Sequence, residues 1–292
     1  MPPLPTDYWS CPDHAIALEA APDHFLCRQF GHRFPIVEGI PCFADLEALA
    51  EVQRSELKHR EREVAYEGDR RIQYERRIEL EAVVGRLRLT AADRVLDAGC
   101  GVGRITRALL TAPADVVAVD FSHARLAHLR EAVAPTRRLT LATADVTRLP
   151  FAAESFSVIV HTQVLEHIPT PEARVAMLRS FRRLLRPGGT LCLTVYNFSE
   201  PWRRRGDAKE GRHDSGIFYH CYTADELRSE IEAQAQLKLR ELCGVVNLFP
   251  HTFRAFPWLG PLARRIDHWG ERRPALSQKW GHLLLARATR ES

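Results

Sequence analysis

The stretch RVLDAGCGVGR, residues 94–104, decides the fold. Val95 and Leu96 begin a short apolar strand. The strand closes on Asp97, and Gly99, Gly101 and Gly103 follow. Glycines at a strand–helix turn let the backbone bend sharply and approach a ligand closely. A dinucleotide loop, G-x-G-x-x-G/A, needs a small residue at 104, where this chain has Arg104. A phosphate loop is excluded because no G-K-[ST] follows. An acid ending the strand is a poor neighbour for a pyrophosphate. It is a good one for a ligand that carries an ammonium and a sulfonium.

Outward from this loop, strands and helices alternate. DVVAVD (115–120), LTLATAD (139–145), FSVIVH (156–161) and TLCLTVYN (190–197) are short, nearly continuous apolar runs. They are separated by helical stretches near 103–111, 122–132 and 171–185. Such runs predict a parallel sheet covered on both faces. LKLRELCGVVNLF (237–249) and HLLLARAT (282–289) supply the last two strands. A helix over 223–233 opens with a capping box from Thr223 to Glu226. Another covers 70–88, with Leu80, Val83, Val84 and Leu87 as its apolar stripe and Arg76 interrupting it. Residues 198–222 read as a polar insertion or lid. The second strand ends on Asp120, placed to accept from both hydroxyls of a ribose. The third ends on Asp145, placed with the Val146 backbone to accept from an adenine amino group.

Composition removes several classes. The chain has 292 residues, with 41 basic against 37 acidic, a formal net charge of +4. That balance argues against a nucleic-acid partner. No apolar run approaches the ~18 residues of a membrane span, and no membrane partner is expected. The start, MPPLPTDYWSCPDH, lacks the basic and apolar regions of a signal peptide. The seven Cys are odd in number and scattered, which fits a reducing cytoplasm.

Residues 1–43 differ from the rest. They carry Cys11, Cys27 and Cys42 with His14, His24 and His32, and short apolar stretches alternate with turn residues. The expected organisation is a small β-rich module over 1–43, a Glu-, Arg- and Ala-rich helical linker over 44–69, and a large domain over 70–292.

The glycine loop, together with LPFAAESFSVIVHTQVLEHI (149–168) and LLRPGG (184–189), resembles class I S-adenosylmethionine-dependent methyltransferases. The likeness is greatest to the branch that includes the ubiquinone and menaquinone biosynthesis enzymes, and it covers about residues 70–196. One departure is Ser157, where that family usually has Asp after the Phe. The resemblance implies an α/β, Rossmann-like, seven-stranded sheet with one antiparallel strand, 282–289. It implies that Asp97 and the backbone of Gly99, Cys100, Gly101 and Gly103 hold the methionine part of the cofactor. Asp120 would bind the ribose, Phe121 would pack on the adenine edge, Asp145 and Val146 would read the adenine ring, and the His161 backbone would face the sulfonium. Methyl transfer needs a general base only when the nucleophile carries a proton. His161 and His167 are candidates from the VIVHTQVLEHI run, with Tyr219 and His220 from the lid.

The N-terminal module resembles a short zinc ribbon of the kind found in the small activator subunit of tRNA and release-factor methyltransferases. C-P-D-H at 11–14, Cys27 and GHRFPIVEGIP at 31–41 carry the likeness. A full ribbon has two close thiolate pairs. Here His14 stands for the second Cys and Phe30 for the fourth, so the implied zinc ligands are Cys11, His14, Cys27 and His32. The expected function is methyl transfer to a small-molecule acceptor under the lid. Two rivals are an RNA methyltransferase that uses the ribbon and a non-catalytic cofactor-binding subunit. Steep salt-dependent RNA binding would favour the first. Failure to turn over the cofactor with any acceptor would favour the second.

Overall fold

The computed structural model describes residues 7–44, 57, 70–247 and 260–291. The helical linker expected over 44–69 lies almost wholly outside the described residues, as does the end of the strand expected over 237–249.

A small antiparallel sheet comes first, with β1 (Glu19–Ala20), β2 (His24–Cys27), β3 (His32–Val37) and β4 (Ile40–Pro41) in that order. Helix α1 (Arg70–Val84) leads into β5 (Arg94–Ala98), α2 (Arg104–Leu109), β6 (Asp115–Asp120), α3 (His123–Ala132), β7 (Leu139–Thr143) and β8 (Phe156–Thr162). Then come a 3-10 turn (Leu165–His167), α4 (Pro171–Leu184) and β9 (Leu185–Tyr196). The lid is a short helix α5 (Glu200–Arg205) and a hairpin of β10 (Glu210–Arg212) and β11 (Phe218–His220). Helix α6 (Ala224–Ser229), β12 (Lys238–Val245), α7 (Gly260–Glu271), α8 (Pro274–Trp280) and β13 (Leu283–Thr289) complete the order.

The main sheet has seven strands in the order β12-β13-β9-β8-β5-β6-β7. Only β13 runs antiparallel to its neighbours. This is the expected α/β, Rossmann-like sheet, with the expected odd strand. The central strands are buried along their length, because helices cover both faces. β9 begins earlier than the sequence suggests. It already pairs at Leu185 with Phe156, and Pro187-Gly188-Gly189 forms an irregularity before pairing resumes at Thr190.

The stripe on α1 is also shifted. Of the expected stripe only Val83 is fully buried, together with Ile78, Glu79 and Ala82, whereas Leu80 and Val84 are half-buried and Leu87 lies beyond the helix. An apolar-periodicity reading does not bury a glutamate.

The small sheet has no core of its own. Tyr8, Trp9, Phe25 and Phe43 join one cluster with Phe151 and Phe156 of the large domain. Trp9 lies 5.0 Å from Phe43 and 5.2 Å from Phe151, ring to ring. Backbone links close the junction. Trp9 bridges Phe151, Cys42 bridges Thr143, and the Phe43 N–H donates to the Thr143 carbonyl at 2.7 Å.

Candidate active site at the carboxyl ends of the strands

The glycine loop uses its three glycines differently, although all have positive φ. A Cβ on Gly99 would sit 2.6 Å from Val164 Cγ2. A Cβ on Gly103 would sit 2.1 Å from Leu129 Cδ1, so Gly103 exists to let α3 approach the loop. An added Cβ on Gly101 would meet only the Arg125 guanidinium, whose Nη1 would lie 3.4 Å away.

A cavity of about 490 Å³ opens over this loop. Gly99, Cys100, Gly101, Asp120, Phe121, Asp145 and Val146 all line it. Gly103 and Asp97 do not. Asp120 accepts the Gly101 N–H at Oδ2 and the Ser122 N–H at Oδ1, each at 2.9 Å. Asp145 accepts from the Thr147 N–H and hydroxyl, both at 2.8 Å. Each strand-ending acid is thus held in one orientation by the turn that follows it. Asp97 lies beneath the loop, 1% exposed, where the Thr106 hydroxyl donates to it at 2.6 Å. Burial pushes its carboxyl up to about 6, against the pull of Thr106 and Arg104.

Three of the expected catalytic residues lie outside the cavity lining. The His161 ring is turned away from the cavity, into the core. Its Nδ1–H donates to the Ala98 carbonyl at 2.8 Å, and it meets the Phe181 ring edge-on at 5.0 Å. Burial holds it down at about 4, so it is a neutral core histidine. The cavity wall at the end of β8 is Thr162, Gln163 and Val164 instead. His220 is clasped between two carboxylates, with Nδ1 3.1 Å from Glu210 and Nε2 2.8 Å from Glu226. It locks the lid hairpin to α6 and does not line the cavity. Tyr219 is outside the lining too, with its ring 4.7 Å from His213 and 6.0 Å from Trp202.

His167 does line the cavity, at the end of the 3-10 turn. Its Nδ1 lies 2.8 Å from the Phe218 carbonyl in β11. A carbonyl can only accept, so Nδ1 carries a proton and the neutral ring keeps its lone pair on Nε2. Behind it, the Tyr196 ring has three imidazole neighbours. His167, His213 and His282 lie 5.8, 6.0 and 5.9 Å away.

Sequence reasoning missed a second group. Glu79 is fully buried and accepts from Arg104, from Thr194 and, at 2.7 Å, from Gln163 Nε2. It ties α1 both to the helix after the glycine loop and to the cavity wall. Arg76, Arg104 and Arg125 place three guanidinium-bearing residues on the lining. The signals were present: Arg76 broke an apolar stripe, and Arg104 stood where a small residue was expected.

In the N-terminal module the ligand set regroups. The donor atoms of Cys11, Asp13, His14 and His32 lie within 4.8 Å of one another. Cys11 Sγ is 3.4 Å from His14 Nδ1, and Asp13 Oδ2 is 3.2 Å from His32 Nδ1. Cys27 is not in this group, although it is buried in the same aromatic core as Cys11 and its side chain meets that of Cys11. Phe30 stacks face to face on His14 at 3.6 Å, and Arg148 pairs with Asp13.

A family model described as a methyltransferase domain matches residues 95–189, the segment from β5 through the loop before Thr190. A ubiquinone biosynthesis O-methyltransferase from Xanthomonas campestris pv. campestris is 34% identical over 125 residues, 41% of this chain and 49% of the relative. The chain thus spans about half the length of the curated relatives it matches. Among solved structures, 1,6-didemethyltoxoflavin-N1-methyltransferase from Burkholderia thailandensis, with 1,6-didemethyltoxoflavin and S-adenosylhomocysteine bound, shares the fold. It has a TM-score of 0.54 at 21% identity, over 93% of this chain and all of that one. A chain from the Haloferax volcanii complex of the Trm112 methyltransferase activator with a methyltransferase gives a TM-score of 0.57 at 20% identity. That match covers 80% of this chain and 98% of the other.

Proposed function

We propose that this chain is an S-adenosylmethionine-dependent methyltransferase acting on a small-molecule acceptor. One observation carries the reading. The glycine backbone, Asp120 and Asp145 open into the same cavity as His167, so a nucleoside-binding wall faces a proton-accepting group. The donor set suits the cofactor. Gly99 and Gly101 leave room for close backbone approach, Asp120 keeps lone pairs for ribose hydroxyls, and Arg76 and Arg125 suit an α-carboxylate. The buried Asp97 offsets the cofactor's positive charge from below.

The cofactor, when bound, supplies a methyl group already activated on a sulfonium. The protein's part is alignment and exclusion of water. Gln163 and Val164 border the space between the two walls. The Phe218 carbonyl fixes the His167 tautomer, so Nε2 is placed to take a proton from an acceptor hydroxyl or amine. The lid hairpin that supplies this carbonyl therefore couples closure to the orientation of the base. Calorimetry tests the reading. S-adenosylhomocysteine should bind at micromolar strength and NAD should not bind; the opposite pattern overturns it.

A second reading concerns the N-terminal module. We infer a structural zinc held by Cys11, Asp13, His14 and His32, with Asp13 in the place expected for Cys27. Ligand atoms around one tetrahedral zinc lie roughly 3.3–3.6 Å apart, and the 3.4 Å and 3.2 Å pairs support this set. Elemental analysis of protein purified without chelator should find one zinc per chain, reduced in Asp13→Ala and retained in Cys27→Ala. All seven cysteines are free thiols, which supports a cytoplasmic location.

A further inference from the structure

Helices α7 and α8 are built inside out. Leu262, Ile266 and Trp269 follow the i, i+4, i+7 spacing of a buried stripe, yet they are 49%, 39% and 50% exposed. Leu276 on α8 extends the stripe at 41%. The inward positions are instead Ala263, Asp267, Gly270 and Glu271. Asp267 accepts from the Tyr74 hydroxyl and the Asn247 N–H, and Glu271 accepts from Arg86 at 3.0 Å.

These two are the only acids between residues 260 and 280, and both face the protein. Arg264 is half-buried and pairs with Glu81, but the other arginines and the lysine face out. Arg265, Arg272, Arg273 and Lys279 are exposed, and none pairs with a carboxylate among the described residues. Cations and rings are interleaved, with the Arg273 guanidinium 3.7 Å over Trp269 and Arg204 of α5 5.2 Å over Trp280. The Trp280 end meets β13 where Leu283 pairs with Tyr196, at the carboxyl end of β9.

We propose that the outward face of α7 and α8 docks on an anionic membrane surface. Leu262, Ile266 and Trp269 enter the boundary between headgroups and acyl chains, and the cations meet the headgroup phosphates. A second copy of the chain would set four unpaired cations against four others, which opposes association. A nucleic acid would satisfy the cations but leave Leu262 and Ile266 in water. An anionic bilayer satisfies both. No helix among the described residues is long and apolar enough to cross a membrane, so the contact is peripheral.

The test is co-sedimentation of the full chain with vesicles of phosphatidylcholine, and of phosphatidylcholine mixed with phosphatidylglycerol. Binding is expected to the mixed vesicles, weakened by salt, with a blue shift in tryptophan fluorescence. Each cation near an anionic surface is worth about five-fold in affinity. The combined R265Q, R272Q and R273Q variant should therefore bind roughly a hundred-fold more weakly. I266S with W269S should lose binding. Both variants should keep their affinity for S-adenosylhomocysteine, because the face lies outside the cavity, and this separates the proposal from the reading of the active site. Equal sedimentation with and without mixed vesicles overturns it. So does a wild-type dimer that I266S with W269S dissolves, or RNA binding that the arginine variant abolishes.

Discussion

The two walls of the cavity are assembled in different ways. The wall that takes the nucleoside comes from three successive strand ends, with every group between Gly99 and Val146. Each carboxylate there is oriented by backbone amides one or two residues beyond it, or by the loop it faces. The opposite wall draws on α1, the turn after β8 and a lid hairpin. Its key contact, from His167 to the Phe218 carbonyl, spans 51 residues. Local chemistry builds the first wall and tertiary packing builds the second. The two should therefore fail in different ways.

The largest effect is expected on the second wall. His167→Ala should lower methyl transfer by about 10²–10⁴-fold, the usual worth of a positioned base. Affinity for S-adenosylhomocysteine, measured by calorimetry, should stay unchanged. A parallel loss of affinity would merge the two walls into one.

On the first wall, Gly103→Ala should destabilise the fold by about 3 kcal/mol. The left-handed backbone and the collision with Leu129 both contribute. Gly101→Ala meets only the end of the Arg125 side chain, so it should cost only the left-handed backbone strain, about 1 kcal/mol, and reduce cofactor affinity as well. Thermal melts alongside calorimetry would separate the two glycines.

Asp120→Ala should weaken S-adenosylhomocysteine binding by about 10- to 150-fold, because charge-assisted bonds to the ribose are lost. Native affinity in a folded variant would remove the ribose assignment.

The smallest effect is a pH slope. His161 is held at about 4 when folded, against 6.5 for an ordinary histidine in water. The unfolded chain therefore binds the extra proton between those values, and stability falls as pH drops. Acidification from pH 7 to 5 should cost about 2 kcal/mol through this residue. Asp97 is raised to about 6, and it acts in the opposite sense, becoming less unfavourable as pH falls. His161→Gln should flatten the acid limb of Tm against pH, and Asp97→Asn should steepen it.

This contrast explains what could be read before any coordinates. The apolar strands and the strand-ending acids follow from periodicity and turn chemistry, which act over a few residues, whereas the odd antiparallel strand is implied only by the family resemblance. His161 misled because a histidine at a strand end near a site has the right address. The alternation of a β-strand then aims its ring at the far face. His220 misled because its two carboxylate partners come from β10 and α6 and give no signal at its own position. Glu79 could be inferred only by asking what Arg104 binds. The outward stripe on α7 has the periodicity of a buried helix, and periodicity does not say which medium covers it. A composition that excludes a membrane span leaves surface attachment open.

The junction at Thr143 has a consequence for synthesis. β7 is the outermost strand of the sheet on its side, and an open outer strand is a template for pairing with another chain. Residues 42–44 lie against it through the Cys42 bridge and the Phe43 amide. They leave the ribosome about a hundred residues before Thr143 does, at a pace of roughly 5–20 residues per second. The clamp is therefore already outside the ribosome, for some seconds, when the strand it closes emerges. Nascent chains on neighbouring ribosomes meet an edge whose partner is already waiting on the same polypeptide.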